Sequence, residues 1–208
     1  MNDKKIKFAF RMTHVQNIPH VLKYGFVHKD SLHAYKDYVA IGDTSVIETR
    51  NQHFLADNKS RLGDYIPFYF GPNQPMLYVI QHGYLNVRQV SASDIVYCVI
   101  KLDDIVRNHV ECCFTDGHAL NFLTKFYCAE LLPMVDQYVD SNAIFEKYWN
   151  RDDDRDLKRR KEAELLVKDE LSSQYICGFV VYNDEAKNKL ISMGVGENSI
   201  VVKPSYYF

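Results

Sequence analysis

Apolar positions along this chain change period several times, and each change marks an element. Lys7 to Met12 alternates and is rich in Phe, which predicts a first strand ending near His14. Asn17 reads as an N-cap for the helix IPHVLKYG, with Pro19 in the first turn and Gly25 closing it. Residues 26–63 are polar and aperiodic, apart from a helical piece near Ser45 to Phe54. A loop that long inside a compact chain is more often functional than idle. YIPFYFG reads as a strand, and PMLYVIQHG as a helix opened by Pro75 and stopped by Gly83. DIVYCVIKL is a buried strand by its β-branched apolar run, and HVECCF reads as a further short one. Leu120, Leu123, Phe126 and Tyr127 give helix-spaced apolar positions between Asp116 and Tyr148. After the charged excursion RDDDRDLKRRKEAE come the strand YICGFVVYN, the helix DEAKNKLISMG and a closing strand in SIVVKPSYYF. There is no internal repeat and no regular strand–helix alternation. The pattern predicts one α+β domain over residues 1–208.

Composition narrows the function. The 208 residues are 47% hydrophobic and 25% charged, as in an ordinary globular domain. With 25 Lys plus Arg against 27 Asp plus Glu, the formal charge is −2. A sequence-blind nucleic-acid binder is usually more basic, although a local basic patch is compatible with this total. Five cysteines, an odd number without a C-x-x-C pair, fit reduced thiols in a cytoplasmic protein better than a disulfide framework or zinc knuckle. The start MNDKKIKFAF lacks the apolar run of a signal peptide. Tyr65 to Val87 is free of charge and long enough to span a membrane, but Pro67, Pro72, Pro75, Gly71 and Gly83 break it. The common nucleotide-loop, zinc-protease and hydrolase motifs are missing. The 8 histidines show no metal-ligand spacing joined to a third ligand, so no metal is expected.

Three segments then stand out. In FRMTHVQNIPHVLKYG, His14 ends a strand and feeds a helix. In FYFGPNQPMLY, an aromatic strand end meets a Gly-Pro turn and a helix start. In KRRKEAELLV, a basic run precedes Glu164, and local propensity favours helix there. Taken singly, each also fits a surface histidine, core packing and a solvated amphipathic helix.

Together they resemble the ADP-ribosyltransferase fold, in which a His ends the first strand, a Tyr lies on a later strand preceding a helix, and a Glu opens another strand. The match is closest to the DarT family of DNA ADP-ribosyltransferase toxins. It is carried by RMTHVQNIPHVLKYG, YVAIGDTSVIETR, LGDYIPFYFGPNQPMLY, FTDGHALNFLTKFY, RKEAELLV and GFVVYN, six segments in family order. Two positions depart from the pattern: Glu162, where the family often has Gln, and Leu165, where an aromatic is common.

The resemblance implies central split antiparallel β-sheets flanked by helices, with ELLV as a strand against its local propensity. It implies transfer of ADP-ribose from NAD, the substrate, to a base of single-stranded DNA. Glu164 would stabilise the developing oxocarbenium charge, with Glu162 as a rival for the role. His14, Asn17, Gly25, Arg50 and Tyr69 would shape the NAD site. Arg50 would position the pyrophosphate or the base, and also serve catalysis by neutralising charge. Arg155, Lys158, Arg159, Arg160 and Lys161 would meet DNA phosphates, and His118 would contact DNA or cap a helix. The implied partner is a cognate antitoxin, a macrodomain-type ADP-ribosylglycohydrolase. No membrane association is expected, and the chain reads as a cytoplasmic monomer. The alternatives are an RNA or protein acceptor, and an inactive NAD- or nucleic-acid-binding module.

Overall fold

The structure, a computed structural model, describes residues 5–55 and 59–208. The start of the basic leader MNDKK and part of the irregular stretch 26–63 lie outside the described residues. Eight strands form a single sheet in the order β5-β4-β6-β2-β1-β3-β7-β8. They are β1 (Phe8–His14), β2 (Tyr65–Tyr69), β3 (Ile95–Lys101), β4 (Cys112–Thr115), β5 (Phe126–Cys128), β6 (Glu164–Lys168), β7 (Ile176–Val181) and β8 (Ile200–Val202). The helices are α1 (Ile18–Tyr24), α2 (Thr44–Gln52), α3 (Pro75–His82), α4 (Leu102–Arg107), α5 (Ser141–Phe145), α6 (Leu157–Lys161) and α7 (Asp184–Ser192).

The sheet forks at its centre. β1 pairs along its full length with β3, from Phe8↔Lys101 to His14↔Ile95. Against β2 it makes a single register pair, Phe10↔Tyr69. The Arg11 guanidinium spans the opening by donating from Nη1 to Pro67 O at 2.9 Å. β8 departs from the antiparallel expectation. It runs parallel to β7, because α7 carries the chain back across the sheet between them.

β3 explains how both faces are covered. Its alternate residues Val96, Cys98 and Ile100 enter one core with Phe68, Phe114, Leu165 and Leu190. Ile95, Tyr97 and Val99 enter another with Phe10, Leu77, Ile80 and Tyr207. A strand buried on both sides has no polar face, hence the continuous apolar run.

Two expectations are corrected. Residues 116–148 hold no long helix. They contain β5, a 3-10 run over Ala129–Gln137 broken at Met134, and the short α5 capped by Asp140. Pro133, which lacks an N–H, and the Asp140 side chain bonded to Asn142 and Ala143 amides break the periodic segment into pieces. The last strand stops at Val202; Pro204–Tyr206 is a 3-10 turn, and Tyr207 turns inward to donate to Val180 O at 2.9 Å.

Candidate active site

Glu164 opens β6 directly beside Tyr69, the last residue of β2, in register. Its side chain is fully buried and bonded on two sides. Arg50 Nη1 donates to Oε2 at 2.9 Å and to Oε1 at 3.3 Å, and the Ala119 amide donates to Oε1 at 3.0 Å. The backbone is held as firmly: Glu164 N donates to Thr115 Oγ1 at 3.0 Å, and that hydroxyl donates to Gly117 O at 2.7 Å. A carboxylate so enclosed keeps one position and one charge partner. Local helix propensity loses here because β2 and β4 both pair with β6.

Arg50 comes from the last turn of α2, a helix opened by Asp43, which accepts from Ser45 N. Its Nη2 is buried with no partner among the described residues. A buried unpaired guanidinium donor is costly, so this atom marks where an acceptor on a ligand would sit.

Arg50 lines a cavity of about 600 Å³, within the size range of ligand sites, whereas Glu164 lies behind it, bonded to Arg50 and outside the cavity lining. Asn17, Gly25, Arg50, Tyr69 and His118 all line it. So does Arg11, whose Nε is likewise buried without a partner among the described residues. The far wall is the segment 27–43, which has no helix or strand. Asn17 pins it: its Nδ2 donates to Val39 O at 2.9 Å, and its Oδ1 accepts from Val39 N at 2.9 Å. Asn17 is thus a tether across 22 positions, not the side-chain cap that its place before α1 suggests. Stacked rings fasten the same wall, His20 on Tyr35 and His33 on Tyr24. Gly25 has φ +78, and an added Cβ would lie 2.1 Å from Leu171 O. No side chain fits there.

Burial, then the negative charges of Glu164 and Glu162, pushes the Tyr69 phenol well above its usual range, so its hydroxyl stays protonated. Burial holds the His118 imidazole below the ordinary histidine value, against the opposing pull of Glu164. It is therefore neutral near pH 7. Glu162 is also buried, and burial pushes its carboxyl up to about 7.

His14 stands apart. It ends β1 beside Arg88 and Asp94 in a separate cavity of about 100 Å³, and accepts from Gln16 N at 3.2 Å. It does not line the large cavity. Burial lowers its pKa.

The basic run divides in two. Lys161 is fully enclosed, donating to Pro72 O and Ile144 O at 3.1 Å each, and burial lowers its pKa to about 8. Arg159 binds Asp116 and Asp156; Arg160 binds Asp140, Asp154 and Asp156. Arg159 and Arg160 are thus neutralised by carboxylates, the local Asp154 and Asp156 and the distant Asp116 and Asp140, while Lys161 is held by backbone carbonyls. Arg155 and Lys158 are exposed, with no carboxylate partner among the described residues.

Sequence reasoning passed over Arg11, Thr115 and Ala119. Arg11 had a signal, a cation inside an apolar strand. The Thr115 hydroxyl and the Ala119 amide had none, because their role comes from long-range pairing.

No group of three or more His, Cys, Asp or Glu able to hold a metal occurs among the described residues. No described helix is long and apolar enough to cross a membrane.

Solved structures share this architecture. A structure titled Thermus sp. 2.9 DarT in complex with ADP-ribosylated ssDNA aligns with TM-score 0.84, at 23% identity over 98% of this chain and 97% of that one. Another, of Thermus sp. 2.9 DarT in complex with NAD+, aligns with TM-score 0.80, at 22% identity over 98% of each chain. The forked sheet, with its acid at the start of β6, thus shares the fold of these DarT structures. A family model described as "ssDNA thymidine ADP-ribosyltransferase, DarT" matches residues 10–208. The chain belongs to the DarT family, and its activity is NAD-dependent ADP-ribosylation of DNA, with NAD as substrate. Relatives named DNA ADP-ribosyl transferase include one from Escherichia coli O127:H6, 29% identical over 96% of this chain and 92% of its own length. One from Mycobacterium tuberculosis is 27% identical over 96% of this chain and 88% of its own. A Thermosipho africanus relative, named a transferase–DNA ADP-ribosyl glycohydrolase fusion, is 26% identical, with half of its length covered.

Proposed function

We propose that this chain is a toxin that moves ADP-ribose from NAD to the base of thymidine in single-stranded DNA, with Glu164 and Arg50 carrying the reaction. One observation supports this above the others: a buried carboxylate paired to a guanidinium that keeps a second, unpartnered N–H at the cavity. The bond between ribose and nicotinamide breaks, nicotinamide leaves with the bonding pair, and positive charge develops on the ribose. Glu164 lies fixed to stabilise that charge without reorganising. A base nitrogen then supplies the electron pair for the new bond and loses its proton. Neutral His118 is able to accept that proton, and Arg50 to offset the negative charge that builds on the base as the proton leaves, before the new bond to the ribose cation restores neutrality.

Arg11 and Arg50 hold the unpaired donors suited to the pyrophosphate of NAD. Asn17 and Gly25 shape the wall against it, and Tyr69 supplies a flat neighbour for the nicotinamide. His14 fits the NAD site only indirectly, by fixing the turn after β1. Arg155 and Lys158, unlike Arg159, Arg160 and Lys161, have charge free for DNA phosphates. The fused glycohydrolase of the Thermosipho relative supports an antitoxin of macrodomain type as partner. The chain then acts in the cytoplasm, as a monomer.

The test is mass spectrometry of oligonucleotides differing in one base, after incubation with NAD. One ADP-ribosyl group on thymidine is expected. Modification of guanosine alone would overturn the base assignment; transfer to RNA or protein alone would overturn the DNA reading.

A further inference from the structure

Phe122 is 91% exposed and Leu123 56%, an unusual display for a large ring on a short loop. The loop is not slack. Asn121 N bonds His118 O at 2.9 Å, Thr124 N bonds Asn121 O at 3.0 Å, and Leu123 N bonds Asn121 Oδ1 at 3.0 Å. Thr124 Oγ1 donates to His118 O at 2.9 Å, and Lys125 N to Asp116 Oδ1 at 2.9 Å. Its base is tied to the reacting centre, since Ala119 N bonds Glu164 and His118 lines the cavity. Three residues of chain separate Phe122 from Ala119, a reach of about 11 Å at most. Lys125 and Lys158 are exposed and without carboxylate partners among the described residues, and Lys158 lies close enough to His118 to bear on its titration.

We infer that Phe122, backed by Leu123, is a stacking platform for the nucleotide next to the one modified, with Lys125 and Lys158 facing the adjoining phosphates. An exposed aromatic flanked by free cations is the arrangement that holds unpaired nucleotides, because every base offers a face to a ring. Rigid attachment to Ala119 sets a fixed spacing between the stacked base and Glu164. The ring thus positions the strand and takes no part in bond making. The inference rests on DNA being the acceptor.

The experiment compares Phe122→Ala, Phe122→Leu and Phe122→Trp, using oligonucleotides with 2-aminopurine beside the target thymidine. An exposed side chain is replaced in each case, so melting temperatures should stay unchanged. In Phe122→Ala and Phe122→Leu, KM for the oligonucleotide should rise about tenfold or more, with the fluorescence quench on binding lost. KM for NAD should hold, and Phe122→Trp should retain both affinity and quench. An unaltered oligonucleotide KM in Phe122→Ala would overturn the platform and assign the patch to a protein partner. Wild-type behaviour in Phe122→Leu would overturn stacking. Failure of the underlying reading looks different: the wild-type enzyme would then modify no oligonucleotide at all.

Discussion

The two walls of the cavity are held by different means. On the sheet side, Glu164 is fixed by Arg50, Ala119 and Thr115, in a strand paired on both flanks. On the loop side, residues 27–43 lack regular structure and rely on Asn17 and two stacked His–Tyr pairs. The difference separates tasks. Chemistry needs a group that does not move as charge develops, whereas enclosing a long dinucleotide needs a wall that adapts.

Breaking the sheet wall should have the largest effect. Glu164→Gln keeps the shape but removes the charge. Transfer should fall about 100- to 1,000-fold in kcat, read by labelled NAD on an oligonucleotide, with NAD affinity largely kept. Arg50→Ala should lose activity too, and additionally lower stability by about 3–5 kcal/mol in denaturant titration, because it strands a buried carboxylate. Full activity in Glu164→Gln would remove the carboxylate from the mechanism.

Glu162 sharpens the comparison, since it shows a cost hidden in the same wall. Its pKa rises from 4.5 to about 7 on folding, chiefly through burial. The folded state therefore binds this proton more tightly, and stability from this group falls as pH climbs from about 4.5 to about 7, then levels. Glu162→Gln should remove that slope. At pH 8 it should be more stable than wild type by about 2–3 kcal/mol, and no different near pH 4. Parallel pH–stability curves for the two proteins would contradict the placement.

The smallest effect belongs to the loop wall. Asn17→Ala removes both bonds to Val39 and the one to Thr13 Oγ1. A loss of about 1–3 kcal/mol is expected. KM for NAD should rise several-fold, and kcat should change less. A kcat loss matching that of Glu164→Gln would mean that the two walls are not separable.

Much of this architecture was legible from pattern alone. The alternating run of β1, the runs read as strands at β2 and β7 and the apolar block of β3 lie within a residue or two of where the sequence placed them. Pro75 and Gly83 punctuate α3 as their chemistry requires. Glu164, Tyr69 and Arg50 were singled out by resemblance, and the structure brings the three together, with Glu164 beside Tyr69 and bonded to Arg50. What escaped is non-local. Spacing marked Leu123 and Phe126 as a buried helical face, yet both are exposed on loop and edge strand, because no neighbour packs over them. The run Arg159, Arg160, Lys161 reads as free positive charge. Asp154 and Asp156 of the same charged excursion meet part of that charge, and further partners, Asp116, Asp140, Pro72 and Ile144, come from distant stretches that only folding brings close. Asn17 illustrates the same limit: its neighbours in sequence suggest a helix cap, and its partner is Val39.

The lone rung between Phe10 and Tyr69 has a thermodynamic consequence. Elsewhere in the sheet, hydrogen-bonded ladders bind strand to strand. Here that task falls to Arg11 and to whatever molecule lodges in the gap. A molecule touching both Arg11 of β1 and Tyr69 of β2 in that cavity would link occupancy to cohesion, as a keystone is to its arch.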